Sequence, residues 1–337
     1  MTTSKLRTPV PAVASCSKAQ AQPNIALVKY WGKQDPQQNI PAVGSLSVTL
    51  DALWTKTTVR FDPEMESDSF TLNGEQDPSG LRRVTACLDL LRDHAGTSSR
   101  ATIVSENNFP TAAGLASSAS GFAALVLAAG NALGLQATQE QYAQWARVGS
   151  GSAARSLYGG FVAMHLATIR GVTEVKTEPL LEANAWPLEV VVAITNTDKK
   201  PISSTEGMER TRLTSPYYSR WIETQNQDLE DARTAILARD FEQLGSITEQ
   251  SCLKMHGLAL AARPGLIYWM AATLSCLHAI RDLRARGCPV FFTVDAGPQV
   301  KAICAPHAAA EVVRTLESIQ GVQRTIVSHL GPGARLV

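Results

Sequence analysis

Asn107-Asn108-Phe109-Pro110-Thr111-Ala112-Ala113-Gly114-Leu115-Ala116-Ser117-Ser118-Ala119-Ser120-Gly121 leads without a charged residue into the unbroken apolar run Phe122–Ala129. No charge occurs from Asn107 to Gln139. A membrane-spanning helix needs about 20 predominantly apolar residues. Ser, Thr, Asn, Gly and Pro interrupt this stretch, so it reads as a loop followed by a buried helix over Phe122–Leu133. Small residues let a backbone approach a ligand closely. A helix that starts at once turns its free N–H groups and positive dipole end into the loop. The hydroxyls of Ser117, Ser118 and Ser120 add donors and candidate Mg²⁺ ligands. Such a loop can cradle a nucleotide triphosphate, yet it lacks the GxxxxGK[ST] pattern of a Walker A loop. Tight packing of a small-residue helix against a neighbour would produce the same composition.

Outward from this loop, helix and strand signals alternate. Thr102–Ser105 reads as a strand, and Val48–Phe61 as strands joined by a turn near Asp51. In Ser79–His94, Leu81, Val84, Leu88 and Leu91 fall on one helical face. Thr138 with Gln141 forms a capping box for a helix through Arg147. Beyond Trp186-Pro187, a plausible domain boundary, come the apolar strand Val190–Ile194 and helices over Tyr217–Arg239 and Phe241–Leu260. A helix over Gly265–Arg286 closed by Gly287, then strands Val290–Val294 and Thr325–His329, complete the pattern. The class is α+β or α/β.

Three further segments carry candidate chemistry. Gly149-Ser150-Gly151-Ser152-Ala153-Ala154-Arg155 matches GxGxxA formally, but a helix precedes it where a dinucleotide fingerprint needs a strand. Ser150, Ser152 and Arg155 suit a carboxylate or phosphate instead, with arginine as a bidentate fork; a surface turn with a solvated arginine is the alternative. Lys29 and Lys33, flanking Tyr30 and Trp31, follow an apolar strand-like run. They suit a polyanionic substrate, or are strand-end lysines that snorkel to water. Asp295 ends the strand Val290–Val294 and opens a Gly-Pro turn, a common place for a catalytic carboxylate and also for an Asx-turn.

The chain has 337 residues, which favours two domains, with 45% hydrophobic residues for a large core. Its 31 Lys+Arg against 30 Asp+Glu argue against nucleic-acid binding through general basicity. Six dispersed cysteines (Cys16, Cys87, Cys252, Cys276, Cys288, Cys304) have no zinc spacing and read as reduced thiols of a cytoplasmic protein. Residues 1–20 read as a disordered tail rather than a transit peptide, and no secretory signal is visible.

Together the stretches NIALVKYWGK (24–33), SLSVTL (45–50), NNFPTAAGLASSASGFAAL (107–125), GSGSAARSLYGGF (149–161), SSTEGM (203–208) and VDAGPQ (294–299) resemble the diphosphomevalonate decarboxylase family of the GHMP kinase superfamily. They occur in that family's order over about 275 residues. The resemblance implies the α+β GHMP-kinase fold. An N-terminal ribosomal-protein-S5-domain-2-like domain (21–187) would carry the ATP loop, and a C-terminal α/β sandwich domain (188–337) would close the cleft. It implies ATP and Mg²⁺, the substrate (R)-5-diphosphomevalonate, isopentenyl diphosphate as product, and a homodimer with no membrane or nucleic-acid partner.

Roles carried over from the resemblance fall on particular residues. Asp295 would orient or deprotonate the 3-hydroxyl, Arg155 would hold the C1 carboxylate, and Lys29 would stabilise charge at the reacting oxygen. Ser118 would face the γ-phosphate and Mg²⁺. Asn107, Pro110, Ala112, Gly114, Leu115, Ala116, Ser117, Ser118 and Ser120 would contact ATP. Tyr30, Trp31, Lys33, Ser150, Ser152 and Ser204 would contact substrate. Some members place an arginine after the paired serines, where this chain has Thr205; Arg83 is then the candidate for the diphosphate. Competing readings are a kinase of the same fold that never decarboxylates, a decarboxylase of 5-monophosphomevalonate, and a non-catalytic sensor.

Overall fold

Alternation within the strand Glu189–Ile194 sets the layering of the molecule. Val190, Val192 and Ile194 face one way and Val191 and Ala193 the other, and all are fully buried. A strand buried on both faces needs cover on both. The computed structural model describes residues 15–110, 114–169, 172–198 and 202–337. In it, Val191 and Ala193 meet the helices Ala271–Ala285 and Ala309–Glu317 through Cys276, Ile280, Val312 and Leu316. The opposite face packs on Ile25, Leu27, Leu46 and Val48 of a second sheet, with Leu229 and Ile236 of the helix Tyr218–Ala238 and Leu244 of the helix Phe241–Leu260 between them.

The C-terminal sheet has strands in the order Val290–Val294, Val300–Cys304, Glu189–Ile194, Arg324–His329, all antiparallel. The sheet facing it runs Val172–Leu181, Phe161–Ile169, Ser45–Thr49, Asn24–Val28. A third, six-stranded sheet has Cys16–Ala21, Thr55–Asp62 and Arg100–Asn107 at its centre. The helix Ser117–Ala132 packs on it, with Ala119, Ala123, Ala124, Val126, Ala128 and Ala129 fully buried. Alanine and glycine on this helix give the close approach that the sequence composition allowed for.

Several expectations are corrected. Residues 16–20 are not a tail: Cys16–Ala21 pairs in register with Thr55–Asp62, and Arg335–Leu336 adds to its other edge. Those partners are distant in sequence, so local composition carried no sign of the strand. Residues 1–14 lie outside the described residues. Across position 187 the inter-sheet core is shared, and the strand Arg335–Leu336 returns to the N-terminal sheet. The helix expected from Gly265 starts at Ala271, because Tyr268 and Trp269 are drawn onto His256 and Trp31 instead. Elsewhere the bounds agree within a few residues, and the Thr138–Gln141 capping box forms.

Candidate active site

A cavity of about 730 Å³ lies where the loop before the helix Ser117–Ala132, the 149–155 segment, the end of the strand Asn24–Val28 and the Asp295 turn converge. Lys29 follows that strand directly and is 1% exposed. Its Nζ donates to Asp295 Oδ1 at 2.6 Å and to the Ala26 carbonyl at 2.8 Å. On the other side of the carboxylate stands Lys301, fully buried, with Nζ 3.1 Å from Asp295 Oδ2 and 2.7 Å from the Gly114 carbonyl it donates to. Burial by itself would raise the Asp295 carboxyl. The two ammoniums hold it well below the usual carboxylate range. Oδ2 is buried against the Lys301 ammonium, while the side chain as a whole keeps 23% of its surface exposed on the cavity wall. An ionised, lysine-held carboxylate partly open to a cavity suits a hydroxyl donor.

Beneath the pair lies the helix Phe241–Leu260. Ser251 Oγ accepts from the Lys29 backbone N–H at 3.0 Å, and Val294 N–H donates to Cys252 Sγ at 3.2 Å. His256 Nε2 donates to the Val294 carbonyl at 3.2 Å. Burial, then the Lys29 charge, pushes the His256 imidazole down to about 3, so it is neutral there.

Arg155 sits in the short helix Ala153–Ser156 and is 1% exposed. Its Nε donates to Ser47 Oγ at 2.8 Å, Nη1 to Ser45 Oγ, and Nη2 to Asn24 Oδ1 at 3.2 Å. Ser45 and Ser47 alternate along one strand, which aims both hydroxyls at the same side. A guanidinium carries five N–H donors. The protein takes one on each nitrogen, leaving one on Nη1 and one on Nη2. No carboxylate among the described residues pairs with it, and burial draws it down to about 10. A buried cation without an anion costs free energy until one arrives.

Ser118 Oγ lies 3.1 Å from Ser150 Oγ, so the loop and the 149–155 segment meet at two hydroxyls. Lys33 and Arg83 also line the cavity, and no acid forms an ion pair with either among the described residues. Burial, then the Arg83 charge, lowers the Lys33 amine. Arg83 donates to the Gly149 carbonyl at 2.6 Å and lies over the Phe122 ring. Tyr30 has its phenol pushed up to about 12 by burial, against the pull of Arg155.

The cavity thus gathers Lys29, Tyr30, Trp31, Lys33, Arg83 and Asn107; Gly114 through Ser118; and Ser150, Ser152, Arg155, Ser204 and Asp295. Two of the expected residues stand off the wall. Ser120 is fully buried with Oγ 2.6 Å from Thr55 Oγ1, so it braces the helix and does not line the cavity. Pro110 is not on its wall, and Ala112 lies outside the described residues. Trp31 is on the wall, as expected of a residue near substrate, with its ring packed in an apolar cluster with Val43, Met208 and Trp221. Asn24, Ser45, Ser47 and Lys301 are site residues that no motif singles out. The parity of SLSVT carried a signal for the two serines. For Lys301 it was the parity of VKAIC, which sends the lysine the same way as the core residue Ile303.

Residues 21–172 match the sequence profile described as the diphosphomevalonate decarboxylase-like N-terminal domain, and residues 190–333 that of the mevalonate 5-diphosphate decarboxylase C-terminal domain. The Candida albicans diphosphomevalonate decarboxylase is 34% identical over 92% of this chain and 94% of its own length. The chain belongs to the diphosphomevalonate decarboxylase family. Saccharomyces cerevisiae has a family member 37% identical over 82% of this chain and 74% of its own. Among solved structures, mevalonate diphosphate decarboxylase from Staphylococcus aureus superposes with a TM-score of 0.90 at 36% identity, over 96% of this chain and 98% of that one. The Enterococcus faecalis enzyme, described with mevalonate diphosphate mediating its ATP binding, gives 0.87 at 39%, over 96% and 99%. A relative solved in complex with MVAPP, AMPPCP and magnesium gives 0.88 at 39%, over 96% and 99%. These relatives carry the GHMP-kinase fold, and this chain shares it.

Proposed function

We propose that this protein converts ATP and (R)-5-diphosphomevalonate into isopentenyl diphosphate, ADP, phosphate and CO₂ through phosphorylation of the tertiary 3-hydroxyl. The observation that carries the reading is Arg155: a fully buried guanidinium with two spare N–H donors, opening on the same cavity as the lysine-held Asp295. A plain kinase has no need to bury an unpaired arginine beside the reacting carbon; a decarboxylase must hold a carboxylate out of water.

The chemistry follows from these groups. The 3-hydroxyl donates to the Asp295 carboxylate. A carboxylate held this far down is a weak base, so it orients the oxygen and takes the proton only as the O–P bond forms and the hydroxyl becomes acidic. Lys29 offsets negative charge at that oxygen. The γ-phosphoryl group rests at the start of the helix Ser117–Ala132 with Ser118 beside it. No group of three or more His, Cys, Asp or Glu side chains among the described residues is placed to hold a metal. That fits Mg²⁺, which is usually bound by one or two protein groups plus substrate phosphates. Ser118 would hold it, and bound there it neutralises phosphate charge. Arg155 then holds the C1 carboxylate through two parallel bonds. When the C3–O bond breaks and phosphate leaves, the C1–C2 electron pair becomes the new double bond and CO₂ departs. Lys33, Arg83, Tyr30 and Ser204 are the groups for the 5-diphosphate.

The purified protein with ATP, Mg²⁺ and either mono- or diphosphomevalonate tests the reading. The expected result is stoichiometric ADP and CO₂ with the diphosphate. ADP without CO₂ would make the protein a kinase, and preference for the monophosphate would reassign the substrate. We further propose a cytoplasmic homodimer. The resemblance carries the dimer and sedimentation tests it; free Cys16, Cys87, Cys252, Cys276, Cys288 and Cys304 suit a reducing compartment.

A further inference from the structure

We infer that Lys301 is a positioning residue that fixes the Asp295 carboxylate and the Gly114 turn of the nucleotide loop in one geometry, so that ATP binding and alignment of the hydroxyl acceptor are coupled. The inference rests on the decarboxylase reading above. Lys301 lies in the strand Val300–Cys304, interior to the C-terminal sheet, between Thr293 and Val192 in register. A lysine there is costly unless it is paired and hydrogen-bonded. Its ammonium spans two chain segments 181 residues apart in sequence (295 − 114): it donates to the Gly114 carbonyl at 2.7 Å and lies 3.1 Å from Asp295 Oδ2. Gly114 and Gly297 are also in backbone contact, so any shift of the loop reaches the carboxylate through both routes.

Charged and titratable groups face Asp295 from each element around it. Lys29 approaches from the end of the strand Asn24–Val28, Lys301 from the sheet, Arg155 from the short helix, and Cys252 and His256 from the helix Phe241–Leu260. Among the described residues, the two lysines are the charged groups that touch the carboxylate. Removing one therefore has a signature that a mere packing brace lacks: the carboxyl becomes easier to protonate.

The test uses Lys301→Met and Lys301→Gln in the full chain, both neutral and of similar reach, with rates counted per folded molecule by thermal melting and diphosphomevalonate binding. The expected result is a kcat lower by about tenfold or more, with KM for diphosphomevalonate within about twofold of wild type. The acid limb of kcat should move to higher pH in both variants. KM for ATP should rise more in the Met variant than in Gln, whose amide can still donate to the Gly114 carbonyl. An unmoved acid limb in folded variants overturns the inference, as does kcat within about threefold of wild type. If neither variant folds, Lys301 is a structural brace and the positioning role falls. Failure of the decarboxylase reading is separate and would show in the wild type, as no CO₂ release.

Discussion

Gly114 and Gly297 touch: a Cβ built on Gly114 would stand 3.1 Å from the Gly297 Cα, and Gly114 itself has φ +82°. The nucleotide loop and the turn that presents Asp295 are therefore in backbone contact across the cavity. A methyl group between them needs loop and turn to give way slightly, and an L-residue at that φ is strained as well.

Gly114→Ala should therefore separate loop and turn by a few tenths of an ångström. The global fold should persist, since the strain is local and of the order of 1–2 kcal/mol. Turnover and apparent ATP affinity should both fall, by about tenfold or more. Steady-state kinetics with ATP varied, beside a thermal melt, measures this; wild-type ATP kinetics would show that the contact does not set the loop.

Asp295→Asn should lower turnover by at least about a hundredfold, the scale for a lost proton acceptor. It should also destabilise the protein, because two fully buried ammoniums lose their counter-charge. For Asp295 the folded carboxyl titrates below its ordinary value. Its contribution to stability is thus present above the unfolded value and lost as pH falls through the folded one. The Asn variant should melt lower than wild type at pH 7, and the gap should narrow only in strong acid. Turnover per folded molecule within about threefold of wild type would remove Asp295 from the mechanism.

His256 predicts a different pH window. Its folded value is about 3 against an ordinary 6.5, so the unfolded chain binds the extra proton between those limits. Stability from this group is complete above about pH 6.5 and declines as pH falls towards 3, with a slope of about 1.4 kcal/mol per pH unit. His256→Gln, which can still donate to the Val294 carbonyl, should remove that slope. Urea unfolding of both proteins at pH 7 and pH 5 measures it; equal losses in both would place the acid sensitivity elsewhere.

What the sequence made legible follows a physical division. The helix Phe241–Leu260 and the strand Val290–Val294 read at their observed bounds, because apolar periodicity and flanking turn residues are local signals. Lys29, Arg155 and Asp295 were legible because each sits in a motif whose chemistry needs that residue type. The strand Cys16–Ala21 was not, since its pairing comes from residues about forty positions away. Lys301 was passed over because a lysine in a short strand ordinarily marks a solvent-facing position; only the parity it shares with Ile303 points inward. Ser120 misled in the opposite sense: a hydroxyl in a loop-to-helix run looks available, and burial against Thr55 is a tertiary fact.

Arg155→Lys separates the two halves of the reaction. The charge is kept, but the planar fork is lost, and with it the parallel bonds that would fix a carboxylate. An ammonium has three donors, and Ser45, Ser47 and Asn24 compete for all of them. Substrate binding should fall modestly, since the cation still attracts an anion and the diphosphate is held elsewhere. Phosphoryl transfer depends on Asp295, Lys29 and the nucleotide loop, all untouched, and should continue at a reduced rate. Decarboxylation depends on the C1–C2 bond lying opposite the departing phosphate, and that alignment is what the fork supplies. ADP release should therefore exceed CO₂ release, with a 3-phosphorylated intermediate accumulating in the reaction. Measuring ADP and CO₂ in the same vessel decides the matter. If both fall in strict proportion and no intermediate is trapped, Arg155 acts at or before phosphoryl transfer, and its role in aligning the carboxylate is wrong.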